Sequence, residues 1–130
     1  MTLLARFALL AGLVMATSPV LAQKAYVRAD LAADGARLEE RLKREVAVGR
    51  PAAAALRDAN AALARGDARA ALPLATAAAV AEPANPAGWR AMALAANAIE
   101  PRDYRERWEL RERAISAAYL AQRPRRGPDW

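Results

Sequence analysis

Apolar residues recur at helical spacing along nearly the whole chain after residue 24. Between residues 25 and 48, four aliphatic positions follow one another at intervals of seven, four and four, which places them on one face of an amphipathic helix. These positions are Leu31, Leu38, Leu42 and Val46. The charged residues between them are expected to form a solvated face. Asp34-Gly35 is an expected weak point of this helix, and Gly49 is expected to end it.

Proline and glycine divide the following stretch into further helices, because each interrupts the helical pattern. The predicted helices cover residues 51–65, 68–81, 86–99 and 104–122. Gly66 separates the first from the second, Glu82-Pro83 follows the second, and Asp103 is the candidate N-cap of the last. Pro73 lies beyond the first turn of its helix, so we expect a kink or a shifted helix start there.

The small residues of these helices have a regular spacing. After Gly66, an alanine follows at five residues (Ala71), another at twelve (Ala78), and a proline at seventeen (Pro83). This spacing resembles that of the tetratricopeptide repeat, in which a glycine closes the first helix and a proline follows the second. Counting on in the same phase places Trp89 at the fourth residue of the next repeat, where that pattern has tryptophan.

Some positions depart from the repeat pattern. Ala55 and Ala62 stand where the first repeat has aromatic residues, and Glu100-Pro101 replaces the glycine turn of the second. The predicted fold class is all-α, with antiparallel helical hairpins of tetratricopeptide type that form a fragment of an α-solenoid. The predicted organisation is a signal peptide (1–22), an amphipathic helix (23–50), two such hairpins (51–122) and a disordered basic tail (123–130).

The first 22 residues have the features of a secretory leader. Arg6 precedes an apolar run over residues 7–15, Ser18-Pro19 interrupts it, and small residues lead to a cleavage site between Ala22 and Gln23. The alternative is a membrane anchor, but the run is well short of the ~20 residues that a spanning helix needs. We therefore predict a periplasmic or secreted protein that meets the membrane only through its uncleaved leader.

Most bulky side chains lie in the last predicted helix, where Tyr104, Trp108, Ile115 and Tyr119 fall close to one stripe. Together with Trp89 they form the candidate contact or core face. A ligand platform is one interpretation of this stripe. We expect core packing against the helix of Trp89, because an alanine-rich chain has few other large side chains. Any large apolar patch left open would mark a docking surface.

The amino-acid composition limits the kinds of catalytic and metal-binding site that the chain can form. Alanine accounts for 38 of the 130 residues, and the chain contains no cysteine and no histidine. Common zinc sites, disulfides, thiol nucleophiles and Ser-His-Asp triads are therefore excluded. Beyond the leader, Thr76 and Ser116 are the only residues of their types, and each lies within a predicted helix. We predict no catalytic, metal or cofactor-binding residue, and hence a protein that is not an enzyme.

The formal charge of +6 suggests an alternative function, the binding of anionic surfaces or nucleic acid. Arg123, Arg125 and Arg126 cluster in the predicted tail. The export leader argues against nucleic acid, and no basic strand with interleaved aromatic residues is present to stack bases. The preferred prediction is a module for protein–protein contact.

Five charged or alanine-rich runs carry a resemblance to a known family. They are YVRADL (26–31), RLEER (37–41), DYRER (103–107), LRERA (110–114) and AAYLA (117–121). These runs resemble the N-terminal helical region of bacterial alpha-2-macroglobulin family proteins. The resemblance implies tetratricopeptide-like hairpins at the start of a large periplasmic protease trap, with downstream domains as partners. The bait region and the thioester are absent from this sequence, so no functional residue is carried over. A truncated gene product and a free-standing homologue both remain open.

Overall fold

The computed structural model describes residues 30–46 and 49–123. The chain divides into two compact units, Met1–Ala32 and Ala33–Trp130, and the first is described only at its last three residues, which are helical. The predicted leader with its cleavage site, and residues 124–130 of the predicted tail, lie outside the described residues. Both clusters of core residues belong to the second unit.

The described chain consists of five helices and contains no strand, which confirms the all-α prediction. Helix α1 covers residues 30–45, followed by α2 (Ala52–Ala64), α3 (Ala68–Ala81), α4 (Pro86–Ala98) and α5 (Tyr104–Gln122). Helix α2 packs on α3, α3 on α4 and α4 on α5. Because short turns join these neighbours, each consecutive pair forms an antiparallel hairpin.

Local chemistry sets the helix ends. The side chains of Asp67, Asn85 and Asp103 each accept a backbone N–H in the first turn of α3, α4 and α5. The predicted N-cap at Asp103 is therefore confirmed. Between α2 and α3, Gly66 has a φ of 77°, a conformation that other residues adopt only at a cost. These caps explain why the observed bounds of α2 to α5 lie within a residue of the predicted ones.

One local prediction is wrong in part. Helix α3 begins at Ala68 and contains Pro73, so the shifted start, one of the two outcomes expected there, does not occur. Helix α1 continues through the expected weak point at Gly35, which is buried. A Cβ atom at Gly35 would lie 3.0 Å from Cδ1 of Tyr119 on α5. The missing side chain thus permits a close contact between α1 and α5.

The core is built largely from alanine. Fully or nearly fully buried alanines occur on four helices, and Leu38, Leu42, Trp89, Met92 and Leu120 supply most of the larger side chains around them. Small side chains on facing helices let the backbones approach closely, which keeps the packing dense with little side-chain volume. Trp89 and Met92 are the largest fully buried side chains.

Helices α3 and α4 approach each other closely at Gly88. A Cβ atom at Gly88 would lie 2.7 Å from the backbone nitrogen and 2.8 Å from the Cα atom of Ala79. Real Cβ atoms do not come so near to backbone atoms, so only glycine fits at this position without movement of a helix. Next to it, the indole N–H of Trp89 donates to the carbonyl oxygen of Pro83 at 2.9 Å, which satisfies its one polar group in the core.

Candidate interaction surface

The residues of the predicted repeat signature lie inside the hairpins. Ala71, Ala78 and Trp89 are buried, Gly66 forms the turn between α2 and α3, and Pro83 forms the turn between α3 and α4. Trp89 therefore lies in the core, whereas Tyr104, Trp108 and Ile115 of the α5 stripe with which the sequence analysis grouped it are exposed. The Pro83 carbonyl oxygen accepts hydrogen bonds from the side chains of Trp89 and Arg123.

Helix α5 has two apolar faces. The inner face, formed by Ala114, Ala117 and Leu120, is buried. The opposite face carries Tyr104, Trp108 and Ile115, which are 72%, 50% and 46% exposed. The prediction that these three side chains pack in the core is therefore wrong. The physical reason is the size of the inner residues, since alanine brings α5 close to its neighbours and leaves no room for rings.

The exposed side chains form a line along the helix. Successive spacings of four, three and four residues connect Tyr104, Trp108, Arg111 and Ile115, and this pattern repeats on one side of an α-helix. We call this set the outer face of α5. The rings of Tyr104 and Trp108 contact each other edge to face, with centroids 6.1 Å apart and an interplanar angle of 76°. In the described part of the chain, Leu94 on α4 is the other large apolar side chain with high exposure.

Tyr119 belongs to the same predicted stripe but has a different environment. Its ring lies near Gly35, and it is only partly exposed and packs against the main core cluster. Helix α1 therefore lies against α5 next to Tyr119, whereas Tyr104, Trp108 and Ile115 are exposed.

A groove of about 880 Å³ lies between α1 and α5. Its lining contains four arginines and five acidic residues, so neither sign of charge dominates. Arg113 is the most shielded of these, and burial, assisted by the charge of Arg41, lowers its pKa below the ordinary value while Glu45 and Glu109 oppose the shift. Among the described residues, no carboxylate lies within 4.0 Å of its guanidinium. Ile115 lies at the edge of this groove, which therefore adjoins the outer face of α5.

Arg123 fixes the far end of α5 to two other elements. Its guanidinium donates to both carboxylate oxygens of Glu39 on α1, at 2.8 and 3.3 Å, and to the carbonyl oxygen of Pro83 at 3.0 Å. These hydrogen bonds lower the pKa of Glu39, and the charge of Lys43 contributes in the same direction. The sequence analysis placed Arg123 in the tail, and no local pattern signals a partner 84 residues away.

A second network holds the other end of α5. Arg69 on α3 donates to the Glu106 carboxylate at 2.5 Å and to the carbonyl oxygen of Glu100 at 2.8 Å. The hydrogen bond from Arg69, together with one from the backbone N–H of Arg102, lowers the pKa of Glu106. Both ends of α5 are thus tied to other parts of the chain.

The two hydroxyl residues singled out earlier both lie within helices. The Thr76 hydroxyl donates to the carbonyl oxygen of Leu72 at 2.7 Å, which is a common use of threonine within a helix. Ser116 is buried. In residues 30–46 and 49–123, no group of three acidic side chains is arranged to hold a metal ion. None of the described helices is long and apolar enough to cross a membrane.

Comparisons with known proteins gave no match, whether to a family model, to a curated protein or to a solved structure.

Proposed function

We propose that this chain is a non-catalytic helical module that works by protein–protein contact through the outer face of α5. The observation that carries the proposal is the position of Tyr104, Trp108 and Ile115 on one exposed line of a helix whose opposite face is fully packed. An exposed apolar line next to polar side chains is typical of a surface that a partner covers. Tyrosine and tryptophan are also the residues that contribute most to binding energy at such surfaces.

We further infer that the hairpins follow the tetratricopeptide arrangement. Support comes from the burial of Ala71, Ala78 and Trp89 and from the positive φ of Gly66, since these are the positions at which the repeat pattern requires small, aromatic and glycine residues. Solenoids of this kind use their surfaces to bind other proteins. The proposed role is therefore consistent with the proposed architecture.

The proposed location is the periplasm or the exterior of the cell, on the evidence of the leader pattern in residues 1–22. The resemblance to the alpha-2-macroglobulin family suggests a role next to the domains of a larger protease-trap protein. The alternative function, binding of nucleic acid or anionic surfaces, has less support. The basic residues of α5 alternate with acidic ones, and a groove with mixed charges has no preference for anions.

Site-specific photocrosslinking, carried out in cells of the organism whose genome encodes the chain, tests the proposal. A photoreactive phenylalanine analogue replaces Trp108 or Ile115 in the full chain, and the control position is Asn60, which is exposed on α2. We expect covalent protein adducts from positions 108 and 115 and few from position 60. Equal adduct yields at all three positions, or none at any, would overturn the proposal. Fractionation of the same cells tests export, because a cytoplasmic full-length chain contradicts it.

A further inference from the structure

We propose that α1 fills a helix-binding site at the C-terminal end of α5, and that a helix of a partner protein with the same contact residues takes its place. The inference concerns the covered part of α5 and does not depend on the outer face. It is carried by the few residues that hold α1, by the groove beside them, and by the separation of α1 from its site along the sequence.

The apolar contacts of α1 come from one face of the helix. Leu38 and Leu42 are 5% and 2% exposed and belong to the same core cluster as Leu120 of α5. About one turn before Leu38, a Cβ atom at Gly35 would lie 3.0 Å from Cδ1 of Tyr119 and 3.4 Å from Cδ2 of Leu120. A small residue followed at three and seven residues by leucines therefore fits this part of the core.

One ion pair joins α1 to the end of α5. The Glu39 carboxylate accepts two hydrogen bonds from the guanidinium of Arg123, which also donates to the carbonyl oxygen of Pro83. Among the described residues, the other ion pairs of α1 lie within that helix. A bidentate pair needs a carboxylate at one particular position, so it distinguishes a matching helix from one that is only amphipathic.

Beside these contacts, α1 and α5 leave a groove of about 880 Å³, which charged side chains of both helices line. The positive charge of Arg41 on α1 acts against that of Arg113 on α5 there. Val46, near the end of α1, is only partly buried. The hold on α1 therefore comes mainly from the four residues at positions 35, 38, 39 and 42 rather than from its whole length.

Helix α1 is also distant in sequence from its site. It precedes α2, whereas the contacts described above are with residues 119–123 at the end of α5. Helices α2 to α5 pack on one another and contain buried alanines of their own, so they keep their mutual contacts when α1 withdraws. The site on α5 then becomes free for a helix of another protein. Bound α1 competes with that helix, which makes it an autoinhibitory element.

The partner that fits is an amphipathic helix. Its contact face carries a small residue, then a leucine and a glutamate three and four residues later, and a second leucine at seven, as Gly35, Leu38, Glu39 and Leu42 do in α1. Proteins recognise such helices by apolar residues that recur every three to four positions. The glutamate adds the requirement for a carboxylate opposite Arg123.

Binding of a fluorescent peptide to the full chain, followed by anisotropy, tests the proposal. The peptide contains residues 30–46 of this chain. In the double variant Leu38→Asp/Leu42→Asp, two charges stand at buried positions, so α1 leaves its site. We expect this variant to bind the peptide at least about tenfold more tightly than the unchanged chain, whose site is filled. Arg57→Glu, an exposed charge reversal on α2, is the control and should bind as weakly as the unchanged chain.

Two neighbouring glutamates of the peptide show whether it binds in the register of α1. Glu39→Gln removes the ion pair with Arg123 and should weaken binding by about tenfold, whereas Glu40→Gln, at an exposed position, should leave it unchanged. Equal affinities of these two peptides overturn the inference, and so does a double variant that binds no better than the unchanged chain. Circular dichroism gives a further criterion: if the double variant loses the helices α2 to α5 as well, α1 is inseparable from the fold and the inference fails.

Discussion

The two faces of α5 differ in the size of their side chains. In most helices the large apolar side chains are buried, whereas in α5 they are exposed. The inner face is buried and consists of Ala114, Ala117 and Leu120, whereas the outer face is exposed and carries Tyr104, Trp108 and Ile115. A bundle built on alanine gains its contacts from the close approach of backbones, and a large ring would hold the helices apart. Side-chain size is therefore a poor guide to burial in this molecule, and helix spacing decides which residues enter the core.

The same substitution at two tryptophans gives the sharpest test of this comparison. Trp89→Ala removes a fully buried ring and the hydrogen bond to Pro83, and we expect it to lower the free energy of unfolding by about 3–5 kcal/mol. Trp108→Ala removes a half-exposed ring and should change it by less than about 1 kcal/mol. Urea denaturation, followed by circular dichroism at a concentration where the chain is monomeric, measures both. Equal losses would mean that the outer face belongs to the core.

Two glycines test the close approach of backbones. Gly88→Ala places a methyl group 2.7 Å from the backbone of Ala79, so the expected loss is about 1–3 kcal/mol even though alanine is the better helix former. Gly35→Ala is the control, because its new methyl group meets the ring of Tyr119, a side chain that can move. We expect Gly35→Ala to be close to neutral. A stabilised Gly88→Ala variant, measured by thermal unfolding, would contradict the tight contact between α3 and α4.

The boundaries of the helices were predictable because their causes are local. Asp103 caps the helix that follows it, and Gly66 adopts a conformation that ends the helix before it. The inner and outer faces of α5 were not predictable in this way, because periodicity identifies two apolar stripes without showing which one faces a neighbour. The contact of Arg123 with Glu39 could not be predicted from the sequence either, since it joins residues 84 positions apart and depends on how α1 packs. Local rules thus gave the elements, and packing determined the surface.

Acid should weaken the molecule through Glu39. Hydrogen bonds from Arg123 lower the pKa of Glu39 below its ordinary value of 4.5, so the folded state binds a proton less readily than the unfolded state. The stabilisation is therefore complete above pH 4.5 and is lost as the pH falls through the lowered pKa. Glu39→Gln should cost about 1–2 kcal/mol at neutral pH, and its difference from the unchanged chain should shrink in acid.

Urea denaturation at a series of pH values measures this effect. Glu106→Gln is the matched control at the other end of α5, where the carboxylate also bonds to an arginine, Arg69, but that arginine is more open to solvent than Arg123. We expect a smaller loss for Glu106→Gln, because solvent screens an exposed ion pair. A difference between Glu39→Gln and the unchanged chain that stays constant across the pH range would contradict the role of the Glu39 carboxylate.

The smallest change in stability is expected at Ile115, although its side chain is large. Ile115→Ala removes three carbon atoms from a position that is 46% exposed, and the better helix propensity of alanine offsets the lost contacts, so the net change should stay within about 0.5 kcal/mol. The reverse exchange two residues away, Ala117→Ile, adds the same atoms to a fully buried position and should cost about 1–3 kcal/mol. If the number of apolar atoms alone set the stability, Ile115→Ala would be the more destabilising of the two substitutions. If thermal unfolding of the two variants follows that order, α5 packs through its large side chains, and its outer face is not available to a partner.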